Sequence, residues 1–311
     1  MASSKKRAHL TLETPEDTSS SESSGGEEGE GVSSSDEMGG IQNGQGGGLA
    51  AESEIQVEFE ARTPESCHFH GVLRLLQGLF KYPHDIPLAQ LAETLIQQRQ
   101  VGSVVTQSAD TDDEDDEEEE LAAGMNPDFS ANNDVFGLLT LFNISDHTPL
   151  ARAVVKYLDS IALKESDKIF LKSLTQGGGP GAQSAGLIIS ERIVNLPSQI
   201  SVPLFETLFS EIQKAKARGL PFNFQHYVLI TQVLKEDGPG PAQGDHFVKV
   251  EEEIIQEHAE RVIETMPAGY GGTKPASLRG NDVYEPNWRI LVLAENKSQV
   301  VMEAIKTAFP I

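Results

Sequence analysis

Cysteine occurs once in the 311 residues, at Cys67, which excludes an internal disulfide and fits a reducing compartment. Basic residues are few: 24 Lys and Arg stand against 48 Asp and Glu, for a net charge of −24. A chain so acidic repels phosphate, and this opposes direct nucleic-acid binding. No apolar run approaches the roughly 20 residues that a membrane helix needs, and no signal-peptide pattern opens the chain. A soluble, intracellular protein is the expectation. Catalytic signatures are missing too. Neither Gly177 to Gly181 nor Gly269 to Lys274 has the Gly-x-x-x-x-Gly-Lys-Ser/Thr spacing that sets a lysine on phosphates, and Gly-x-Ser-x-Gly and His-Glu-x-x-His do not occur. Cys67, His68 and His70 crowd together, but no second ligand group accompanies them, and a structural zinc site wants four ligands. No metal and no cofactor is expected.

The charge that is present is unevenly placed. Residues 1–53 are poor in large apolar groups, rich in Ser and Gly, and carry a net charge of −7, so they are expected to form a disordered acidic tail. Within it, Lys5-Lys6-Arg7 is weakly consistent with nuclear import, and Ser19 to Ser24 and Ser33 to Ser35 sit among acids that attract acid-directed kinases. Residues 110–120 add −10, and the nine consecutive acids Asp112, Asp113, Glu114, Asp115, Asp116, Glu117, Glu118, Glu119 and Glu120 form the sharpest feature of the chain. They lie in an expected flexible insertion at 108–133. Mobile carboxylates of this kind are expected to engage a basic protein partner.

Between these segments, residues 54–311 carry the patterns of one α/β or α+β domain without internal repeats. Ile55, Val57 and Phe59 alternate with polar residues and predict a half-buried strand. Helical spacing appears from Phe69 to Phe80, from Leu88 to Ile96, and between Pro149 and Thr175. Strands are predicted at Val101 to Thr106, Val135 to Ile144, Leu187 to Ile189, Tyr227 to Leu234 and Arg289 to Leu293, with a closing helix from Gln299 to Phe309. Ile254, Ile255, Val262 and Ile263 predict one amphipathic helix, led by Glu251 to Glu253 where its dipole favours acids. After the central strand, Ser190, Glu191, Arg192 and Asn195 read as a polar corner, Pro197 stops any long helix, and Ser201 is placed to cap the next one. Val202, Phe205, Leu208, Phe209 and Ile212 then share a face, with both phenylalanines expected in the core, and Gly219 ends the helix. The plain reading of Glu191 and Arg192 is a pair that fixes the corner; the sharper one is a catalytic carboxylate beside an arginine. His226, just before a strand, reads as a structural hydrogen-bonder.

The stretch Ser190-Glu-Arg-Ile-Val-Asn-Leu-Pro-Ser-Gln-Ile, with the proline-started helix after it, resembles the signature of the BCCIP family. Ile55-Gln-Val-Glu-Phe-Glu-Ala, Leu95-Ile-Gln-Gln with Val101-Gly-Ser-Val-Val, and Asp134-Val-Phe-Gly-Leu-Leu-Thr-Leu-Phe-Asn-Ile agree in order, so the likeness runs from Glu54 to the C-terminus. It marks Glu191, Arg192, Asn195 and Pro197 as family residues of structural role. It implies a fold like that of the GNAT acetyltransferases, a curved mixed sheet flanked by helices. It also implies a nuclear interaction protein of a family named for binding a breast-cancer susceptibility protein and a cyclin-dependent kinase inhibitor, partners that depend on lineage, with a fungal branch that chaperones and exports a basic ribosomal protein of the large subunit. An acetyl-CoA-dependent acetyltransferase is the alternative. Its phosphate loop finds only a superficial match in Arg99 to Val104, which ends in valine and leads from a helix into a strand, the inverse of the required context. The expectation is therefore a non-enzymatic nuclear adaptor and chaperone that shuttles to the cytoplasm.

Overall fold

The computed structural model describes residues 9–10, 58–108, 134–175, 184–236, 245–266 and 284–310. Most of the acidic tail and residues 109–133, including Asp112 to Glu120, lie outside the described residues. Among the described residues nine strands form one sheet: β1 His9–Leu10, β2 Phe59–Arg62, β3 Ser103–Gln107, β4 Gly137–Asn143, β5 Ala185–Arg192, β6 His226–Glu236, β7 His246–Phe247, β8 Arg261–Glu264 and β9 Tyr284–Ala294. Their order is β1-β2-β3-β4-β5-β6-β9-β8, with β7 paired to β6. The helices are α1 Phe69–Leu79, α2 Leu88–Gln97, α3 Pro149–Ile161, α4 Glu165–Thr175, α5 Ser201–Ala217, α6 Val250–His258 and α7 Ser298–Ala308.

The unbroken apolar runs of the central strands follow from cover on both faces. Leu187, Ile189, Val228, Ile230, Ile290 and Val292 join the core beneath α1 to α4. Their neighbours Ile188, Tyr227, Leu229, Leu291 and Leu293 point the other way, into the core beneath α5 to α7. This is a single-domain mixed α/β fold in which helices flank a mixed sheet. Local chemistry sets the ends of its helices. Thr148 Oγ1 accepts a hydrogen bond from the Ala151 amide at 3.2 Å, with Pro149 in the first turn of α3. Gly219, at φ +73°, receives the chain as α5 ends.

Four expectations shift. The first strand of the core is Phe59–Arg62, slightly later than the alternation predicts, while Ile55 and Val57 lie outside the described residues. Ser190, Glu191 and Arg192 belong to β5, not to a corner, because each is paired to β4. Ser201 does not cap α5. A turn of 3-10 helix, Ser198–Ile200, precedes it, and the Ser201 hydroxyl instead donates to the Ser198 carbonyl at 2.6 Å. The helix predicted to span Ile254 to Ile263 divides: α6 ends at His258, Ala259 is extended, and the β-branched Val262 and Ile263 enter β8.

One parallel pair interrupts the otherwise antiparallel sheet. β5 and β6 pair only over Ala185–Ile188 and His226–Leu229. Beyond these residues β5 stays with β4 as far as Arg192, and β6 stays with β9 as far as Glu236. The two strands part, and the edge of β6 that β5 leaves is taken by β7 through Val233 and Leu234.

Candidate functional site

The chain from His246 to Lys249 wedges into this parting. After β7, the Val248 amide donates to the Gln232 carbonyl at 3.2 Å, and Lys249 stands immediately before α6. Its side chain turns back toward β5. Lys249 Nζ donates to the Ser190 carbonyl and to Glu191 Oε1, the latter at 2.9 Å, and lies 2.9 Å from Glu252 Oε1. Thr231 on β6 donates its hydroxyl to Glu252 Oε2. One lysine thus ties β5 to β6 and α6 where the strand ladder between them has ended.

Beside it, Arg192 makes a two-pronged pair with Glu251, Nη1 to Oε1 and Nη2 to Oε2, the second at 3.0 Å. Glu251 and Glu252 are completely buried, and the Lys249 residue is nearly so. Burial by itself would discharge the Lys249 ammonium, but Glu191 and Glu252 outweigh it and hold the pKa above the ordinary lysine value. Burial pushes the Glu252 carboxyl up to about 7, and Glu251 adds to this, against the opposing pull of Lys249 and the Thr231 hydroxyl. The three carboxylates outnumber the two cations by one.

A cleft of about 110 Å³ opens next to this cluster, lined by Gly78 and Leu79 of α1, Glu191 to Val194, Ile230 and Gln232 of β6, Val248, Lys249 and Trp288 of β9. Glu191 Oε2 faces Gly78, where an added Cβ would stand 3.8 Å from it. A second network lies on β9: Arg289 Nε donates to Glu264 Oε1 at 2.9 Å, Nη1 to Gln256 Oε1 at 3.1 Å and Nη2 to Asp245 Oδ2. It binds β8, β9 and α6 together.

Of the residues singled out in the sequence, Glu191 and Arg192 meet at the parting, Asn195 is exposed beyond it, and Pro197 leads into the 3-10 turn before α5. Asp112 to Glu120 lie outside the described residues. Among the described residues no three His, Cys, Asp or Glu side chains are grouped to hold a metal, and His68 Nδ1 accepts the Glu65 amide at 2.9 Å. His226 is away from the cleft, its Nε2 3.2 Å from Glu260 Oε2. Sequence reading gives no role to Lys249 or to the Thr231 hydroxyl, and places Glu251 and Glu252 only as acids at a helix start favoured by its dipole. The one signal was an acidic triplet next to a lone lysine and an isoleucine pair, a pattern shared by many solvent-exposed helices.

Comparison with known proteins supports one lineage. The BCCIP homolog of Drosophila melanogaster is 28% identical over 259 residues, 81% of this chain and 84% of that protein. The mouse BRCA2 and CDKN1A-interacting protein is 25% identical over 271 residues, 81% of this chain and 80% of its own length. The crystal structure of BCP1 from Saccharomyces cerevisiae shares the fold, with a TM-score of 0.53 at 16% identity over 85% of this chain and 93% of that one. No helix among the described residues is long and apolar enough to cross a membrane. The model of the BCCIP family matches residues 54–263, from the predicted start of the domain into β8, and the chain belongs to the BCCIP family.

Proposed function

We propose that this chain is a non-enzymatic nuclear adaptor and chaperone that holds a basic ribosomal protein of the large subunit and serves ribosome biogenesis and nuclear export. The observation that carries this reading is the pairing at the parting of β5 and β6. A catalytic acid or base has to be free to meet its substrate, whereas Lys249, Glu191, Glu252, Arg192 and Glu251 are engaged with one another. The adjoining cleft, about 110 Å³, is well below the roughly 300–1,000 Å³ of ordinary small-molecule sites.

The expected likeness to GNAT acetyltransferases is supported by a mixed sheet with helices on both faces. Nothing comparable supports the acetyltransferase activity. Arg99 to Val104 connects α2 to β3, and the Gly102 amide donates to Glu211 Oε2 at 3.0 Å, where a phosphate oxygen would have to sit. Charge indicates the partner instead. Residues 110–120 carry ten acids and no base, and such a segment masks a basic protein that has not yet reached its RNA. The mouse relative is named for interaction with BRCA2 and CDKN1A, which supports genome-maintenance and cell-cycle partners as a further part of the proposal. Lys5-Lys6-Arg7 supports nuclear entry. Calorimetric titration with acetyl-CoA tests the non-enzymatic reading. No binding is expected up to about millimolar concentration, and a micromolar dissociation constant would overturn it.

A further inference from the structure

We infer that the cleft at the parting of β5 and β6 is a receptor for one cationic side chain, a lysine or arginine presented by a basic partner. The inference rests on the reading that the partner is basic, and adds to it a folded contact distinct from the acidic segments. Leu79, Ile193, Ile230, Val248 and Trp288 give the cleft apolar walls, and Glu191 supplies a carboxylate within it. Lysine and arginine have the matching form, an aliphatic stem with a charged tip. A volume of about 110 Å³ admits one such side chain and excludes a folded segment.

The charges select the occupant further. Lys249 takes Glu191 Oε1, while Oε2 reaches the cleft beside Gly78, whose missing side chain leaves the approach open. An anion would meet this carboxylate, and an apolar side chain would desolvate it without replacing its partners. A cation gives three positive groups to the three carboxylates Glu191, Glu251 and Glu252, closing the shortfall around Lys249 and Arg192. The raised pKa of Glu252 is in keeping with that shortfall. The Trp288 indole adds an aromatic surface of the kind that attracts ammonium and guanidinium groups. At the mouth, Val194 is 83% exposed, so it offers an apolar rim for the partner's backbone to cover.

Trp288 is the single tryptophan of the chain, so its emission reports the cleft and not the acidic segments. The full chain is titrated at physiological salt with the blocked pentapeptide Ser-Gly-Arg-Gly-Ser and with its citrulline twin, which has nearly the same shape and no charge. A saturable change in Trp288 emission is expected with the arginine peptide, and binding at least about tenfold weaker with the citrulline peptide. Glu191→Gln should weaken the arginine peptide about tenfold. Because that change also unpairs Lys249, Val194→Lys serves as a second variant on an exposed residue, and like-charge repulsion at the mouth should weaken binding in the same direction. No emission change, an equal response to both peptides, or equal affinity in Val194→Lys would each overturn the inference. Heat of binding without an emission change would assign the peptide to the acidic segments and overturn it as well. None of these results bears on the basic-partner reading, which is tested through the association rate after the acidic run is neutralised.

Discussion

Lys249 shows how one side chain substitutes for a stretch of sheet. Where β5 and β6 cease to exchange backbone hydrogen bonds, its ammonium contacts the Ser190 carbonyl, Glu191 and Glu252 together. Removing one partner from a buried ion cluster leaves its counter-charges unscreened, and such losses run to about 3–5 kcal/mol. Lys249→Met should lower the unfolding free energy by that amount in urea titrations, and the double variant with Glu252→Gln should recover part of it. A loss below about 1 kcal/mol would show that the cluster holds little of the fold. Glu252 gives a pH signature of its own. Its folded-state pKa is raised to about 7, above the ordinary 4.5, so its contribution to stability is fully present below pH 4.5 and is lost as the pH rises through 7. The groups around it are Lys249, Glu251 and Thr231, with Glu191 and Arg192 one contact further away. Glutamine stays neutral throughout, so Glu252→Gln should gain stability on the parent chain between pH 5 and pH 8. A difference that stays constant across that range would contradict the assignment.

Among the elements, α5 was the most legible in the sequence. Val202, Phe205, Leu208 and Ile212 recur at helical spacing and are all buried. Phe209 sits at the margin of that stripe and is half-buried, with its ring 6.1 Å from those of both Phe205 and Tyr227. Phe205→Ala should therefore cost about 3–5 kcal/mol, and Phe209→Ala roughly half as much or less, measured by chemical denaturation. Equal losses would place Phe209 in the core proper. Long periodic helices and β-branched strands could be read because a single stretch of sequence dictates them. The division of Ile254 to Ile263 into α6 and β8 could not, since two short apolar pairs satisfy either period. The charged cluster was hidden for a different reason. Glu191 and Lys249 are 58 positions apart, and only the parting of β5 from β6 brings them together. Glu191 and Arg192 drew notice as a neighbouring pair, yet they point to opposite faces of β5 and serve different partners, Lys249 and Glu251.

For the molecule as a whole, the proposed function assigns recognition jointly to the folded domain and the acidic segments. Residues 1–53 and 110–120 account for −17 of the net charge of −24, and these charges lie outside the described residues. One exposed charge pair at 4 Å is worth about 1 kcal/mol in water, and salt screens it beyond roughly 8 Å, so single contacts decide little. Many carboxylates acting together raise the encounter rate, while the folded surface fixes which partner stays. The direct measurement replaces Asp112 to Glu120 with Ser and Gly and follows association with a lysine-rich ribosomal protein of the large subunit by stopped flow, over a range of salt. Slower association at low salt, by about tenfold or more, with a flatter salt dependence and an unchanged melting temperature, is the expected result. Equal association rates at low salt for the neutralised and the parent chain would contradict the acidic capture of a basic partner.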